Sequence, residues 1–143
     1  MEDKKQIKSF RDLDVYQGSY KSMLRVVNEI LPLLPDSEKY DLKDQLNRSC
    51  KAIPRLISEG YAKRHQKAGF QRYLDDAMAE SNETIVGLEQ CRDIYKILPL
   101  SINELVDVYD KISRQLYNLS NAWTNFKTSN VTVYRNAHRN RKS

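Results

Sequence analysis

Leu42-Lys-Asp-Gln-Leu-Asn-Arg-Ser-Cys-Lys-Ala-Ile-Pro-Arg-Leu-Ile-Ser-Glu-Gly-Tyr61 decides the fold. At helical periodicity, Leu42, Leu46, Ser49, Cys50, Ile53, Leu56, Ile57, Gly60 and Tyr61 share one stripe, and Arg48, Lys51 and Arg55 take the opposite side. The stretch therefore reads as an amphipathic helix, although Pro54 stands in its middle. A proline there costs about 3 kcal/mol, because it removes a backbone donor and crowds the preceding turn. Burial of the surrounding stripe must outweigh that cost.

Working outward, this helix is predicted from about Ser37 to Lys63, with Asp36 or Ser37 as its N-cap. Before it, a helix from about Asp12 to Leu31 carries Leu13, Tyr16, Tyr20, Met23, Leu24, Val27, Ile30 and Leu31 on one face and stops at Pro32 and Pro35. After it, a helix from about Lys67 to Ile97 aligns Phe70, Tyr73, Leu74, Ala77, Met78, Ser81, Thr84, Ile85, Leu88, Cys91 and Tyr95. The fourth helix is expected to open on Ser101-Ile-Asn-Glu104, which fits a capping box, with Leu100 and Leu105 spaced as a hydrophobic staple and Pro99 blocking extension backwards. It is expected to run to about Lys127, with Ile102, Leu105, Val106, Tyr109, Ile112, Leu116, Tyr117, Leu119, Trp123 and Phe126 on a broad apolar face. Packing against two neighbours in one bundle explains that breadth; a subunit interface is the other reading.

Short connections between long helices favour an all-α, antiparallel up-down-up-down four-helix bundle. The division expected is an N-terminal arm over 1–11, the bundle over 12–128, and a flexible basic C-terminal tail over 129–143. Val131-Thr-Val-Tyr134 is strand-like in composition, but the polar, basic residues after it point to a disordered tail.

A chain of 143 residues is one domain on length. It has no apolar run near the roughly 20 residues that span a membrane, so no membrane role is expected. Met1-Glu-Asp-Lys-Lys-Gln6 is charged and has no apolar core behind it, so it reads as no signal peptide, and the simplest location is cytoplasmic. Cys50 and Cys91 lie on apolar stripes and read as buried free thiols. No spacing of cysteine, histidine or glutamate matches a metal site, and no phosphate loop or nucleophile motif occurs. The expectation is a protein that is not an enzyme and holds no cofactor or metal.

Charge is arranged in blocks. Residues 39–72 hold nine Lys and Arg against three Asp and Glu, whereas residues 73–110 hold two against nine. Residues 111–143 hold seven basic residues and no acid. Such blocks suggest complementary faces, within one molecule or between copies, and a polyanion as partner. Basic side chains on a rigid helix can follow a phosphate backbone by charge alone. The candidate nucleic-acid-binding residues are Arg48, Lys51 and Arg55 on the second helix, Lys63, Arg64, Lys67 and Arg72 after it, and Arg135, Arg139, Arg141 and Lys142 in the tail. Asp44 and Glu59 stand four residues from Arg48 and Arg55, so ordinary surface ion pairs compete for that face. The Lys63–Lys67 cluster has no acid beside it. Tyr20, Tyr73, Tyr109 and Trp123 read as core, while Tyr134 is placed to stack on a base.

Three segments carry a family resemblance. Phe10-Arg-Asp-Leu-Asp-Val-Tyr-Gln17 is similar to a Phe-x-x-Leu-x-Val-aromatic-Gln opening, Leu42-x-x-Gln45-x-x-Arg48 and Ile53-Pro54-x-x-Ile57-x-Glu59-Gly60 match the most distinctive stretch, and Phe70-x-x-Tyr73-Leu74-x-x-Ala77 followed by Glu83 matches the third helix. The chain resembles the four-helix-bundle proteins encoded in intervening sequences of bacterial 23S ribosomal RNA genes, a group that the accessory variability determinant proteins of diversity-generating retroelements also resemble. It departs from them at Leu56, where asparagine is common, and at Ala79-Glu80, where a Gly-Ser pair is common. The resemblance implies an antiparallel bundle, often a ring-like homopentamer with a positive surface. It also implies a non-enzymatic role, as an RNA-binding scaffold that joins reverse transcriptase and template RNA in mutagenic complementary-DNA synthesis. The other readings are a helical protein–protein adaptor, and a ribosomal-RNA intervening-sequence protein with no nucleic-acid function.

Overall fold

The computed structural model describes residues 6–138, with side chains described as far as Ala122. The described residues form four α-helices and no strand: α1 Asp14–Arg25, α2 Leu42–Ala62, α3 Lys67–Tyr95 and α4 Pro99–His138. Each packs against two neighbours, α1 on α2 and α4, α3 on α2 and α4, and among the described residues the backbones of the diagonal pairs stand farther apart. That is the square cross-section of a four-helix bundle.

α2 runs unbroken through Pro54. Its buried residues are Leu42, Leu46, Ser49, Cys50, Ile53, Pro54, Ile57, Gly60 and Tyr61, so the stripe expected from sequence is the buried face, with Leu56 at its half-buried edge. Burying a leucine or isoleucine side chain contributes roughly 1.5–3 kcal/mol, so a few of these residues offset the proline. Against α3 the pairing is antiparallel: Leu46 meets Gly87, Ser49 meets Thr84, and Gly60 meets Phe70 and Tyr73. Polar groups cross both interfaces of α3. Ser49 Oγ and Thr84 Oγ1 lie 2.8 Å apart. On the other side Ser113 donates to Ser81 Oγ at 2.8 Å, and Ser81 donates to the Tyr109 carbonyl at 3.1 Å.

Several helix ends differ from expectation. α2 starts at Leu42 instead of Ser37, because Asp36–Glu38 forms a separate 3₁₀ turn and the Glu38 carboxylate accepts the Leu42 N–H at 3.1 Å. α4 begins at Pro99, so Ser101 already lies within the helix and the expected capping box does not form. Leu100 is 84% exposed, which removes the staple, and Glu104 instead meets the Arg25 guanidinium of α1 at 2.5 Å. A capping box does form between Ser9 and Asp12, ahead of α1. At its far end α4 continues to His138 rather than stopping near Lys127, since no glycine or proline follows Pro99 to interrupt it. Residues 129–138, expected to open a flexible tail, are therefore helical in backbone.

α1 is turned about its axis relative to the expected face. Its buried residues are Val15, Ser19 and Ser22, continued by Val26 and Ile30 in a π-helical turn over Val26–Ile30. Tyr16 and Met23 are half-buried, and Tyr20 and Leu24 are 44% and 42% exposed. The face turned inward thus carries two small serines, and the larger tyrosines stand at the rim. On α4, Ile102, Leu105, Tyr109, Ile112 and Leu116 are buried and Leu119 packs against them, so the breadth of that face is used inside the bundle. Tyr117 stays exposed, and the side chains of Trp123 and Phe126 lie outside the described residues.

Candidate nucleic-acid interface

The outer side of α2 presents Arg48, Lys51 and Arg55 within two helical turns. The three differ in freedom. Arg48 Nε lies 3.4 Å from the Asp44 carboxylate, the pair foreseen from i,i+4 spacing. Arg55 makes no ion pair with Glu59, and neither Arg55 nor Lys51 has one among the described residues. Exposed pairs of the Arg48 kind contribute under about 1 kcal/mol, so Arg48 can exchange Asp44 for a stronger anion at little cost.

Two different walls flank this basic row. Toward α3, Arg48, Lys51 and Arg55 share a groove with Glu80 and Glu83. The Glu80 carboxyl is held above its ordinary range, mainly by desolvation and further by the charges of Glu83 and Asp76, with Arg48 opposing. Part of the basic block of residues 39–72 thus faces part of the acidic block of residues 73–110 inside one molecule. Toward α1, Lys51 and Arg55 line a second groove with Phe10, Tyr16 and Tyr20, above Pro54. Sequence reasoning placed Tyr16 and Tyr20 in the core and missed this edge.

The turn after α2 sorts its cations. Lys63 closes the helix: its N–H donates to the Gly60 carbonyl at 2.9 Å, and the Arg64 N–H donates to the Tyr61 carbonyl at 3.2 Å. Arg64 folds back: its guanidinium donates to the Tyr61 carbonyl at 2.8 Å and lies 4.0 Å from the centre of the Tyr61 ring. A cation on the last carbonyls of a helix meets the negative end of its dipole, so Arg64 serves the fold. Lys63 and Lys67 are exposed, as is Arg72 early in α3, and none has an ion pair among the described residues. The exposed or half-exposed cations without an ion pair among the described residues are thus Lys51 and Arg55 on α2, Lys63 at its closing turn, and Lys67 and Arg72 at the start of α3; of these, Lys51 and Arg55 share a groove. Of the expected tail residues, Arg135 lies on the backbone of α4, its side chain outside the described residues together with that of Tyr134; Arg139, Arg141 and Lys142 lie outside them altogether.

The titratable groups of the interior are set apart from this surface. Cys50 and Cys91 are buried free thiols, as expected, and burial pushes them up to about 12 and about 11. Among the described residues, no three of the His, Cys, Asp and Glu side chains come together as a metal site, and no helix is long and apolar enough to cross a membrane.

Residues 11–118 match the family model described as 23S rRNA-intervening sequence protein. No curated protein matches the chain.

Proposed function

We propose that this chain, which belongs to the 23S rRNA-intervening sequence protein family, is a non-catalytic RNA-binding scaffold that works as a homo-oligomer in the cytoplasm. The observation that carries the reading is the set of cations that have no ion pair among the described residues: Lys51, Arg55, Lys63, Lys67 and Arg72. Acids are abundant on the neighbouring α3, yet these five side chains are not consumed by them. Charges held on rigid helices suit a polyanion bound through its backbone. The hydroxyls of Ser49, Thr84, Ser81 and Ser113 are engaged in helix-to-helix contacts and burial keeps the two thiols protonated, which suits a scaffold. Opposed basic and acidic faces also suit a head-to-tail ring; five subunits are the count that the family resemblance implies. The finer reading, an accessory subunit that brings template RNA to the reverse transcriptase of a retroelement, rests on the family resemblance of the α2 and α3 motifs.

Fluorescence anisotropy with a labelled RNA hairpin across a salt series tests this. Binding should weaken steeply with salt, as release of counterions requires. Lys63→Glu with Lys67→Glu should weaken it further while leaving the melting temperature in place, since neither lysine is buried. Affinity unchanged by that double reversal would remove the proposed surface, and a monomer by mass measurement in solution would remove the ring.

A further inference from the structure

Beside the basic row of α2 runs a line of aromatic rings at the rim of the core, in which Phe10 and Tyr16 pack against the core and Tyr20 is exposed. The Phe10 and Tyr16 rings meet edge to face, with centroids 4.9 Å apart and planes at 78°. Tyr16 and Tyr20 stack, with centroids 6.0 Å apart and planes at 28°. The last ring of the line is the most open, Tyr20 being 44% exposed. Lys51, Pro54 and Arg55 of α2 line the same groove. Arg11 adds a cation at the other end, 4.5 Å from the Phe10 ring centre.

We infer that this groove is a stacking platform for single-stranded RNA, with an unpaired base laid on Tyr20 and the neighbouring phosphates held by Lys51 and Arg55. The inference rests on the RNA-binding reading above and assigns it a second, chemically distinct contact. An exposed aromatic ring beside cations that have no ion pair among the described residues is the pairing that single-strand binders combine: the ring takes a base of any sequence and the cation takes the backbone. A duplex offers no free base face, so the platform discriminates single strands from paired ones. The charge argues against an apolar protein segment as occupant, because docking one would bury Lys51 and Arg55 without an anion. Tyr16 and Phe10 act as positioning residues, fixing the plane of Tyr20 by packing.

The test uses the full-length protein, a short unstructured single-stranded RNA and a duplex of the same sequence, each labelled for anisotropy. Tyr20→Leu keeps the apolar bulk and removes the π face; it should weaken single-strand binding roughly 5- to 150-fold, the loss expected per stacked base, and leave duplex binding unchanged. Tyr20→Phe keeps the ring and should bind like the natural protein. If Tyr20→Leu binds the single strand as tightly as the natural protein, the platform is wrong while the RNA reading stands. If the natural protein binds neither probe, both fall together. If Tyr20→Leu breaks up the assembly by mass measurement, the groove is covered by a second copy and the platform is likewise overturned.

Discussion

Gly60 of α2 lies so close to Tyr73 of α3 that a Cβ built on the glycine would sit 2.9 Å from the Tyr73 Cβ. The Tyr73 Cβ is fixed to its backbone, so the clash cannot be relieved by a side-chain rotation; the two helices would have to part. In Gly60→Ala the added methyl gains about 1 kcal/mol of helix propensity but meets an overpacking cost of about 1–3 kcal/mol. A net destabilisation of about 1 kcal/mol is therefore expected. Gly18 of α1 gives the opposite sign, because a methyl added there would meet nothing within 4 Å. Gly18→Ala should stabilise the protein by about 0.5–1 kcal/mol. Urea unfolding of the two variants side by side checks both, and a stable Gly60→Ala would refute the close approach.

Tyr109 supplies the largest of the fully buried side chains, and its hydroxyl has no hydrogen-bond partner among the described residues. Burial holds its pKa well above the ordinary tyrosine value. An unsatisfied buried hydroxyl costs roughly 1–3 kcal/mol. Tyr109→Phe removes that penalty and keeps the ring, so the melting temperature should rise, by an amount equivalent to about 1 kcal/mol. A fall would mean that the hydroxyl has a partner in solution.

The two thiols fix how the fold responds to alkali. Both are raised in the folded state, from an ordinary value of 9.0 to about 12 for Cys50 and about 11 for Cys91, with burial as the first cause. The unfolded chain loses these protons first, so their contribution is complete below pH 9 and is lost as the pH rises through the folded values. Unfolding free energy should fall from pH 9 upward. In Cys50→Ala with Cys91→Ala the protein should be less stable at neutral pH, because small cavities remain, yet show a flatter decline above pH 9. Chemical denaturation at several pH values reads the slope, and an unchanged slope in the double variant would assign the alkaline loss to other groups.

What the sequence makes legible follows from side-chain size. The α2 stripe is built from large apolar residues at helical spacing with charge opposite, so the pattern and the buried face coincide. α1 departs from its pattern because its innermost residues include Ser19 and Ser22, while the larger Tyr16 and Tyr20 stand at the rim. No single-helix pattern carries that exchange; it depends on how near the neighbouring helices come. The Arg48–Asp44 pair is readable from i,i+4 spacing, but the same rule suggests Arg55–Glu59, which does not form. The helix starts shift because Glu38 and Glu104 commit their carboxylates elsewhere, to the Leu42 N–H and to Arg25.

Arg64 and Lys63, adjacent in sequence, should separate stability from binding. Arg64 donates to the Tyr61 carbonyl and covers the Tyr61 ring, whereas the Lys63 side chain is exposed and has no ion pair among the described residues. Removing the Arg64 guanidinium leaves the last turn of α2 without its cation, so Arg64→Ala should cost about 1 kcal/mol of stability. Its effect on RNA affinity, measured well below the melting temperature, should be small, because that charge already points back to the helix end. Lys63→Ala should do the reverse: thermal stability unchanged, RNA affinity reduced, and the slope of log affinity against log salt shallower by about 1 if Lys63 neutralises one phosphate. Thermal melts and salt-dependent anisotropy on the same two variants give all four quantities. If Arg64→Ala loses RNA and keeps its melting temperature, the fold-back contact does not hold Arg64 in solution, and the residue moves from the helix end to the binding surface.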